Sequence, residues 1–552
     1  MKNLIIVFLV MFASLSSAQD TLITERDTII TNTGVIEVDQ VEVIKAFEAK
    51  LDDAQRINLG PKIQPIIPVE KSYEYNITIV PLTIDYPDPV IKPLAMNPDP
   101  EKTRKSFFSR LGYGDLNSPY ADITYHGQKG DELEYTVSGH FYGVDDSEDI
   151  AFREFYESDL NVNVGYLLGE NHKLTVDVQG GYDNRNLYDT SMVDQTTLTL
   201  DVNRKILLGK ARVGFSNIET TEANFNYGVG FTTQTLKFDQ VLPYSENGIG
   251  LDFYADNQIN TNLSLSIKGD GVFQEIDYAS DESRDRTAVN LIPGLNFNIG
   301  NFRIEAAADI FIDQEQTSIF PDIHASLGLM ENNLQIYAGM DQVPIANTLW
   351  NHYDNNPFVS GFLSIDKTTL SKQFYGGVAG KHGDFLTYNF MAGYADISNQ
   401  FYYDNLGSFR MFAKHTDMTN IFINANIEFN LTDNISLGAN ASQNFYSPDE
   451  IEVLPNMPEY KYSGYSKVEL LNDKLTLSLD LNLMDKISFI NENAAVTLGN
   501  NQMDVSFGLD FYIQQNIGIW FRANNLLDRE YLRFANYPEF GRNLLGGILI
   551  RI

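Results

Sequence analysis

Hydrophobic residues in this chain come singly, at every second position, in runs bounded by short polar breaks. Ile421, Ile423, Ala425, Ile427 and Phe429 alternate with Phe422, Asn424, Asn426, Glu428 and Asn430; Thr432-Asp433-Asn434 interrupts the run, and Ile435, Leu437, Ala439 and Ala441 resume it. Successive side chains of a β-strand point to opposite faces, so the pattern predicts a hairpin with one apolar and one largely polar face. It returns with Leu475, Leu477, Leu479, Leu481 and Leu483 after Asn472-Asp473-Lys474, and with Val505, Phe507, Leu509 and Phe511 before Gln514-Gln515-Asn516. Each run has the roughly 9–11 residues that a tilted strand needs to cross a bilayer.

Similar polar turns are read at Lys129-Gly130-Asp131, Glu170-Asn171-His172, Gly209-Lys210, Asn260-Thr261-Asn262, Gly300-Asn301, Glu331-Asn332-Asn333 and His382-Gly383-Asp384. With the three above they make ten, spaced by about 40 residues, which fits two strands and one longer loop per repeat. Ten such turns in a ring whose two ends share a rim predict about 22 strands, the first at Lys105 to Gly112 with Asp115 to Pro119 as its loop. Beyond Ala18 no stretch of about 18 apolar residues occurs, which excludes a helical membrane protein. A chain that crosses a bilayer without helices must close its sheet, because every backbone donor and acceptor needs a partner there. The expected fold is therefore all-β, a transmembrane antiparallel β-barrel over 105–552. The competing reading of the same alternation is a secreted, soluble all-β protein.

At the N-terminus Lys2 precedes an apolar core from Leu4 to Phe12, and Ser16-Ser17-Ala18 supplies small residues before Gln19, so 1–18 reads as an export signal. The absence of Cys removes disulfides, thiol metal sites and Cys nucleophiles from consideration. Seventy-four acidic residues against 39 basic ones give a net charge of -35, which would repel the phosphates of nucleic acid. That excess belongs in loops and lumen, since charge on a lipid face is costly. The seven histidines, His126, His140, His172, His324, His352, His382 and His415, show no spacing with Ser, Asn or Asp that builds a nucleophile, so neither an enzyme nor a catalytic residue is expected. Asp145-Asp146-Ser147-Glu148-Asp149 and Asp281-Glu282-Ser283-Arg284-Asp285 are acidic enough for Ca²⁺, the one cofactor candidate. They lack the spacing and central Gly of a calcium loop and read first as solvated loops.

The longest external connection is placed from Asp341 to Lys372. It carries Trp350, His352, Tyr353, Asn355, Asn356 and Phe358, an aromatic and amide mixture suited to a polar ligand or a partner protein. The other reading is an interfacial aromatic girdle beneath a structured loop.

The last 29 residues contain Asn524-Asn525-Leu526-Leu527-Asp528-Arg529-Glu530-Tyr531, then Gly541-Arg542 and an alternating run that puts Leu544, Gly546, Ile548, Ile550 and Ile552 on one face. This stretch resembles the C-terminal signature of TonB-dependent receptor β-barrels. The resemblance covers about 105–552 and implies the outer membrane of a Gram-negative bacterium, a ring of 22 strands and a part in transport. Receptors of that family fill the barrel with a larger N-terminal plug domain. Here 19–104 stand before the barrel, and nine of the 19 prolines fall between Pro61 and Pro100, which favours extended backbone over a folded sheet. A short Pro-rich segment, threading the lumen or hanging in the periplasm, is expected in place of a full plug.

Within that segment Asp27-Thr28-Ile29-Ile30-Thr31 resembles a TonB box, an extended apolar strand able to add to a partner's sheet edge; Asp20-Thr21-Leu22-Ile23-Thr24 is a near copy. Val41 to Asn58 reads as a short amphipathic element. Two functions follow from the resemblance. One is a TonB-dependent receptor-like barrel taking part in transport across the outer membrane. The alternative is an accessory, non-transporting barrel subunit of an outer-membrane protein complex for assembly or transport. The partners implied are outer-membrane lipid and other envelope proteins, TonB among them.

Overall fold

The computed structural model describes residues 106–552 apart from 189–201, 241–242, 279–282, 315, 332, 361–367, 405–410, 491–495 and 500. The export signal, the Pro-rich segment with Asp27–Thr31, Lys105, Asp281 and Glu282 lie outside the described residues.

Twenty-two antiparallel strands form one closed ring in chain order. The first, Phe107–Gly114, pairs on one edge with the second, Ser118–Lys129, and on the other with the last, Asn543–Arg551. Two small hairpins, Ser488–Ile490 with Val496–Leu498 and Leu532–Phe534 with Tyr537–Pro538, stand in connections outside the ring. Closure removes the unpaired edges that a flat sheet would expose.

The alternation along each strand becomes two cylindrical faces. Leu160, Val178, Phe231, Leu251, Phe273 and Ile421 stand exposed on the outside. The positions between them turn inward and are largely polar: Asp159, Asn161, Asp177, Gln179, Thr232 and Asp252. An exposed apolar belt of this extent is foreign to a soluble barrel and matches the hydrocarbon of a bilayer. The apolar faces read from sequence lie side by side, Leu475, Leu477, Leu479 and Leu481 standing opposite Phe511, Leu509, Phe507 and Val505.

Nine of the ten expected turns fall between strands. At three of them Gly130, Gly300 and Gly383 have φ of +61°, +59° and +56°, a left-handed backbone that residues with a Cβ rarely adopt. Gly209-Lys210 is the exception: contrary to expectation, both residues lie inside the strand Asn203–Asn217. Gly209 serves there for space: a Cβ on it would come within 3.1 Å of Thr235 Cγ2 on the neighbouring strand. The actual turn is 218–224, a segment without glycine, so the strand count is unchanged. The first strand starts later than the expected Lys105 to Gly112, and its loop is only 115–117, Ser118 already being paired.

Where first and last strands meet, Trp520 Nε1 donates to the Leu111 carbonyl at 3.2 Å, Arg110 pairs with Asp510, and the Arg551 guanidinium lies 3.7 Å from the Tyr512 ring centre. Tyr512, Trp520, Leu545 and Leu549 pack together on the inside. Gly547 is pressed so closely on the first strand that a Cβ would lie 1.9 Å from Leu111 O.

Candidate functional site at the loop rim

The ten turns lie on one rim, and all connections longer than seven residues lie on the other, which faces outward in barrels of this kind. The longest connection joins the strands Leu334–Ile345 and Thr369–His382. It is shorter than the expected Asp341 to Lys372, because backbone pairing runs on to Ile345 and Thr369. Thr348 starts a two-turn helix, Leu349–Asn355, its hydroxyl accepting from Asn351 N at 3.0 Å. Pro357, which has no N–H and disfavours helix at the residue before it, follows the helix end at Asn356.

This segment folds across the mouth. Tyr353 donates to Asp183 Oδ2 at 2.5 Å, and His352 Nδ1 lies 3.2 Å from the Tyr403 hydroxyl. Asp183 and Tyr403 belong to the fifth and fifteenth of the 22 strands, nearly opposite one another. Wall residues hold the backbone of the cap. Glu246 Oε2 accepts from Leu349 N at 2.6 Å, while Arg204 Nη1 donates to Pro357 O at 2.7 Å and Arg286 Nη1 to Asn347 O at 2.9 Å. These wall groups are themselves fixed: Arg185 lies 3.2 Å from Asp183, Gln274 donates to Glu246 at 3.1 Å, and Arg286 pairs with Asp313 at 3.2 Å.

An apolar cluster adds to these contacts. Phe358 stacks on Tyr537 with ring centres 3.8 Å apart and meets Tyr188 and Phe534 edge-on. Leu187, Ile206, Leu236, Phe238, Leu349 and Met411 fill the space around them. Met411 N donates to Phe358 O at 3.2 Å, and Ser360 N to Met411 O at 2.6 Å. Tyr188 also donates to Pro538 O at 3.1 Å, tying a second connection to a third.

All six candidates in this connection come together in the cap. His352, Asn356 and Phe358 are buried, and Trp350 packs at the edge of the apolar cluster. Asn355 donates to Asn351 O at 2.7 Å, and Asn356 Oδ1 accepts from Phe358 N at 2.9 Å. Burial, reinforced by the charges of His415 and Arg286, lowers the His352 pKa to about 3, so the ring is neutral near pH 7. Burial and then the Asp183 carboxylate push Tyr353 well above its ordinary value. In another loop Arg153 pairs with both Asp146 and Asp149, two members of the acidic run. Among the described residues no three metal-ligating side chains converge.

The wall residues Asp183, Arg204, Glu246 and Arg286, and the rings of Tyr188, Phe534 and Tyr537, are absent from the sequence expectations. A signal for the first four exists in hindsight, since each is a charge at an inward position close to the loop end of its strand. The rings carry none, because they come from connections far apart in the chain.

No family model matches the chain, and no curated protein matches it by sequence. Solved structures do. The FrpB iron transporter from Neisseria meningitidis superposes with a TM-score of 0.64 at 9% identity, covering 82% of each chain. The pyoverdine outer membrane receptor FpvA from Pseudomonas aeruginosa, bound to pyoverdine, gives 0.61 at 12% identity over 81% of this chain and 79% of that one. The barrel has the TonB-dependent receptor fold. The copper transporter OprC shares this TonB-dependent receptor architecture at a TM-score of 0.59 and 11% identity, over 81% of this chain and 80% of its own. Combined with the apolar outer belt, the TonB-dependent receptor fold makes this a barrel of the Gram-negative outer-membrane type.

Proposed function

We propose that the chain is a TonB-dependent receptor-like barrel taking part in transport across the outer membrane, with 346–360 as its outer gate. One observation carries the reading: a ring of 22 strands, too wide for its own side chains to fill, is crossed at the loop rim by a segment held through hydrogen bonds and stacked rings. Such contacts release and re-form without covalent change, as a gate requires. That FrpB is an iron transporter, FpvA a pyoverdine receptor and OprC a copper transporter supports transport as the general activity. In this reading Trp350, His352, Tyr353, Asn355, Asn356 and Phe358 form the gate and meet the arriving ligand, and Asp27–Thr31 serves as the TonB contact.

The density of prolines between Pro61 and Pro100 favours a second reading, an accessory subunit whose N-terminal segment tethers partner proteins. Gentle detergent extraction of the native protein, with mass spectrometry of what stays bound and conductance after reconstitution, separates the two. Transport predicts a chain that emerges without stoichiometric protein partners and conducts more once the gate is weakened. Envelope proteins in fixed ratio, with no conductance in any variant, would overturn it in favour of the accessory role.

A further inference from the structure

Along one joint of the ring the two strands do not pair to the top. Thr317–Leu329 and Leu334–Ile345, the twelfth and thirteenth strands, pair from the turn rim only as far as Ile323 and Met340. Both run on toward the loop rim, the one still paired with Phe302–Asp313 and the other with Thr369–His382, so the sheet splits between 317–322 and 341–345. Two prolines account for the split. Gly328 N donates to Asn301 O on one side and Lys381 N to Asn333 O on the other; because successive residues of a strand address alternate neighbours, the backbone of 319, 321, 342 and 344 faces the split. Pro321 and Pro344 hold two of these four places and have no N–H to give.

Above the split the wall overlaps itself. Asp309, Phe311, Ser318 and Phe320 alternate along their strands with exposed Ile312 and Ile319 and so take inward positions, whereas Gln342, Leu370 and Lys372 share the outward side with Phe374. Yet Gln342 hydrogen-bonds to Ser318 and, from Nε2, to Asp309 Oδ1 at 3.5 Å. Leu370 packs with Phe311, and the Phe374 ring meets Phe320 edge-on with centres 5.9 Å apart. Outward groups of one strand pair thus lie against inward groups of the other, so the tops of Leu334–Ile345 and Thr369–His382 stand behind those of Phe302–Asp313 and Thr317–Leu329, on the lumen side. Side chains, not a backbone ladder, hold this lap.

The slot between the two layers opens on the bilayer. Ile312, Ile319 and Phe374 are 48%, 70% and 46% exposed beside it, in the half of the apolar belt nearer the loop rim. At its upper end Lys372 Nζ lies 5.9 Å from the Phe320 ring centre and forms no ion pair among the described residues. A cation above an apolar cleft matches an anionic head above a hydrocarbon chain, in the orientation of an outer-leaflet lipid. The cap continues directly from Ile345, and Arg286 holds both ends of that connection through Asn347 O and Thr368, so release of the cap frees the tops of the inner layer. We infer that the lap is a side entrance to the lumen for an amphiphile with a hydrocarbon chain and an anionic head, a carboxylate or a phosphate. Its chain takes the place of the Phe320–Phe374 contact, and its head sits on Lys372. The inference rests on the transport reading and names a route for it.

The test is photolabelling of the full chain in phosphatidylcholine vesicles, with the labelled residues mapped by mass spectrometry. The anionic probes are diazirine-bearing palmitate and diazirine-bearing phosphatidylglycerol, and diazirine-bearing phosphatidylcholine is the zwitterionic control. At least one anionic probe labels Phe311 and Leu370, which are buried inside the lap, while the control labels only outer residues such as Ile312, Ile319 and Phe374. Labelling by palmitate alone assigns a carboxylate head, and by phosphatidylglycerol alone a phosphate. Lys372→Gln lowers the inward labelling about fivefold or more and leaves the outer labelling unchanged. The chain has no Cys, so Ser318→Cys with Gln342→Cys, bridged by a bifunctional methanethiosulfonate, locks the lap; inward labelling disappears and returns on reduction. Lys372 is part-exposed, so its variant keeps the test alive if the Cys pair does not fold, and heat-modifiable migration on gels reports folding. Labels confined to the outer surface with every probe, equal inward labelling by the control, or inward labelling unchanged in folded Lys372→Gln or in the bridged chain overturns the inference. Conductance separates this from the transport reading: conductance through a weakened gate without inward labelling sinks the side entrance alone, and inward labelling without conductance in any variant sinks transport alone.

Discussion

Phe358→Ala isolates the contacts that hold the cap in place. The Phe358 side chain is 4% exposed, stacked at 3.8 Å on Tyr537 and flanked edge-on by Tyr188 and Phe534, so truncation removes a buried ring and leaves a cavity among residues anchored in separate connections. A buried Phe→Ala change costs about 3–5 kcal/mol, and each 1.36 kcal/mol is tenfold, so the open form of the cap gains between about two and four orders of magnitude in population. The barrel itself keeps its ladders, because no ring strand loses a partner. Hydrogen exchange read by mass spectrometry is the assay: the amides of Val359, Ser360 and Met411, whose acceptors are Asn356 O, Met411 O and Phe358 O, speed up while those of the strand Phe412–Thr432 do not. Unchanged exchange in 346–360 of a folded variant would refute the role given to the stack. Equal acceleration in cap and wall would show that they open as one unit.

Acid should loosen the same cap. His352 has a folded pKa of about 3 against an ordinary value near 6.5, so unfolded cap binds more protons between these values and stability falls as pH drops through that window, by about 2 kcal/mol at pH 5. Exchange in 346–360 measured from pH 7 to 5, corrected for intrinsic rates, shows this, and His352→Phe isolates its share, since a buried loop carboxyl with a raised pKa, such as Glu539, acts in the opposite sense. Arg286→Met leaves buried Asp313 without its ion-pair partner and costs about 3–5 kcal/mol in urea unfolding, while adding Asp313→Leu restores part of the loss; a double variant no better than the single one contradicts the pairing. Gly547→Val drives a Cβ into the Leu111 carbonyl and the Gly112 backbone and abolishes the heat-modifiable barrel, whereas Gly180→Ala, with open space around it, folds normally.

Strand number, strand faces and most turns were legible because a two-residue period states directly which side chains meet lipid, and polar turn residues mark where it stops. Gly209-Lys210 misled for a physical reason: glycine is used both where φ must be positive and where a neighbouring strand leaves no room for a Cβ, and sequence does not distinguish the uses. The candidates from Trp350 to Phe358 were legible as an unusual aromatic and amide cluster. Their partners were not, because Asp183, Glu246, Tyr403 and Tyr537 converge only after the ring has closed.

That closure sets an order of events. All pairings in the ring but one join strands that follow each other in the chain; the remaining one joins Phe108 to Arg551, nearly the whole barrel apart in sequence. Hairpins along the chain can zip locally and early, but the cylinder waits for its final nine-residue strand. Until then each intermediate carries two naked edges able to recruit a stranger's strand, a hazard that lasts through the export of the entire polypeptide. Because the entropy of joining the ends grows only logarithmically with length, the delay in the last strand's arrival, more than the distance it must span, makes the late barrel vulnerable.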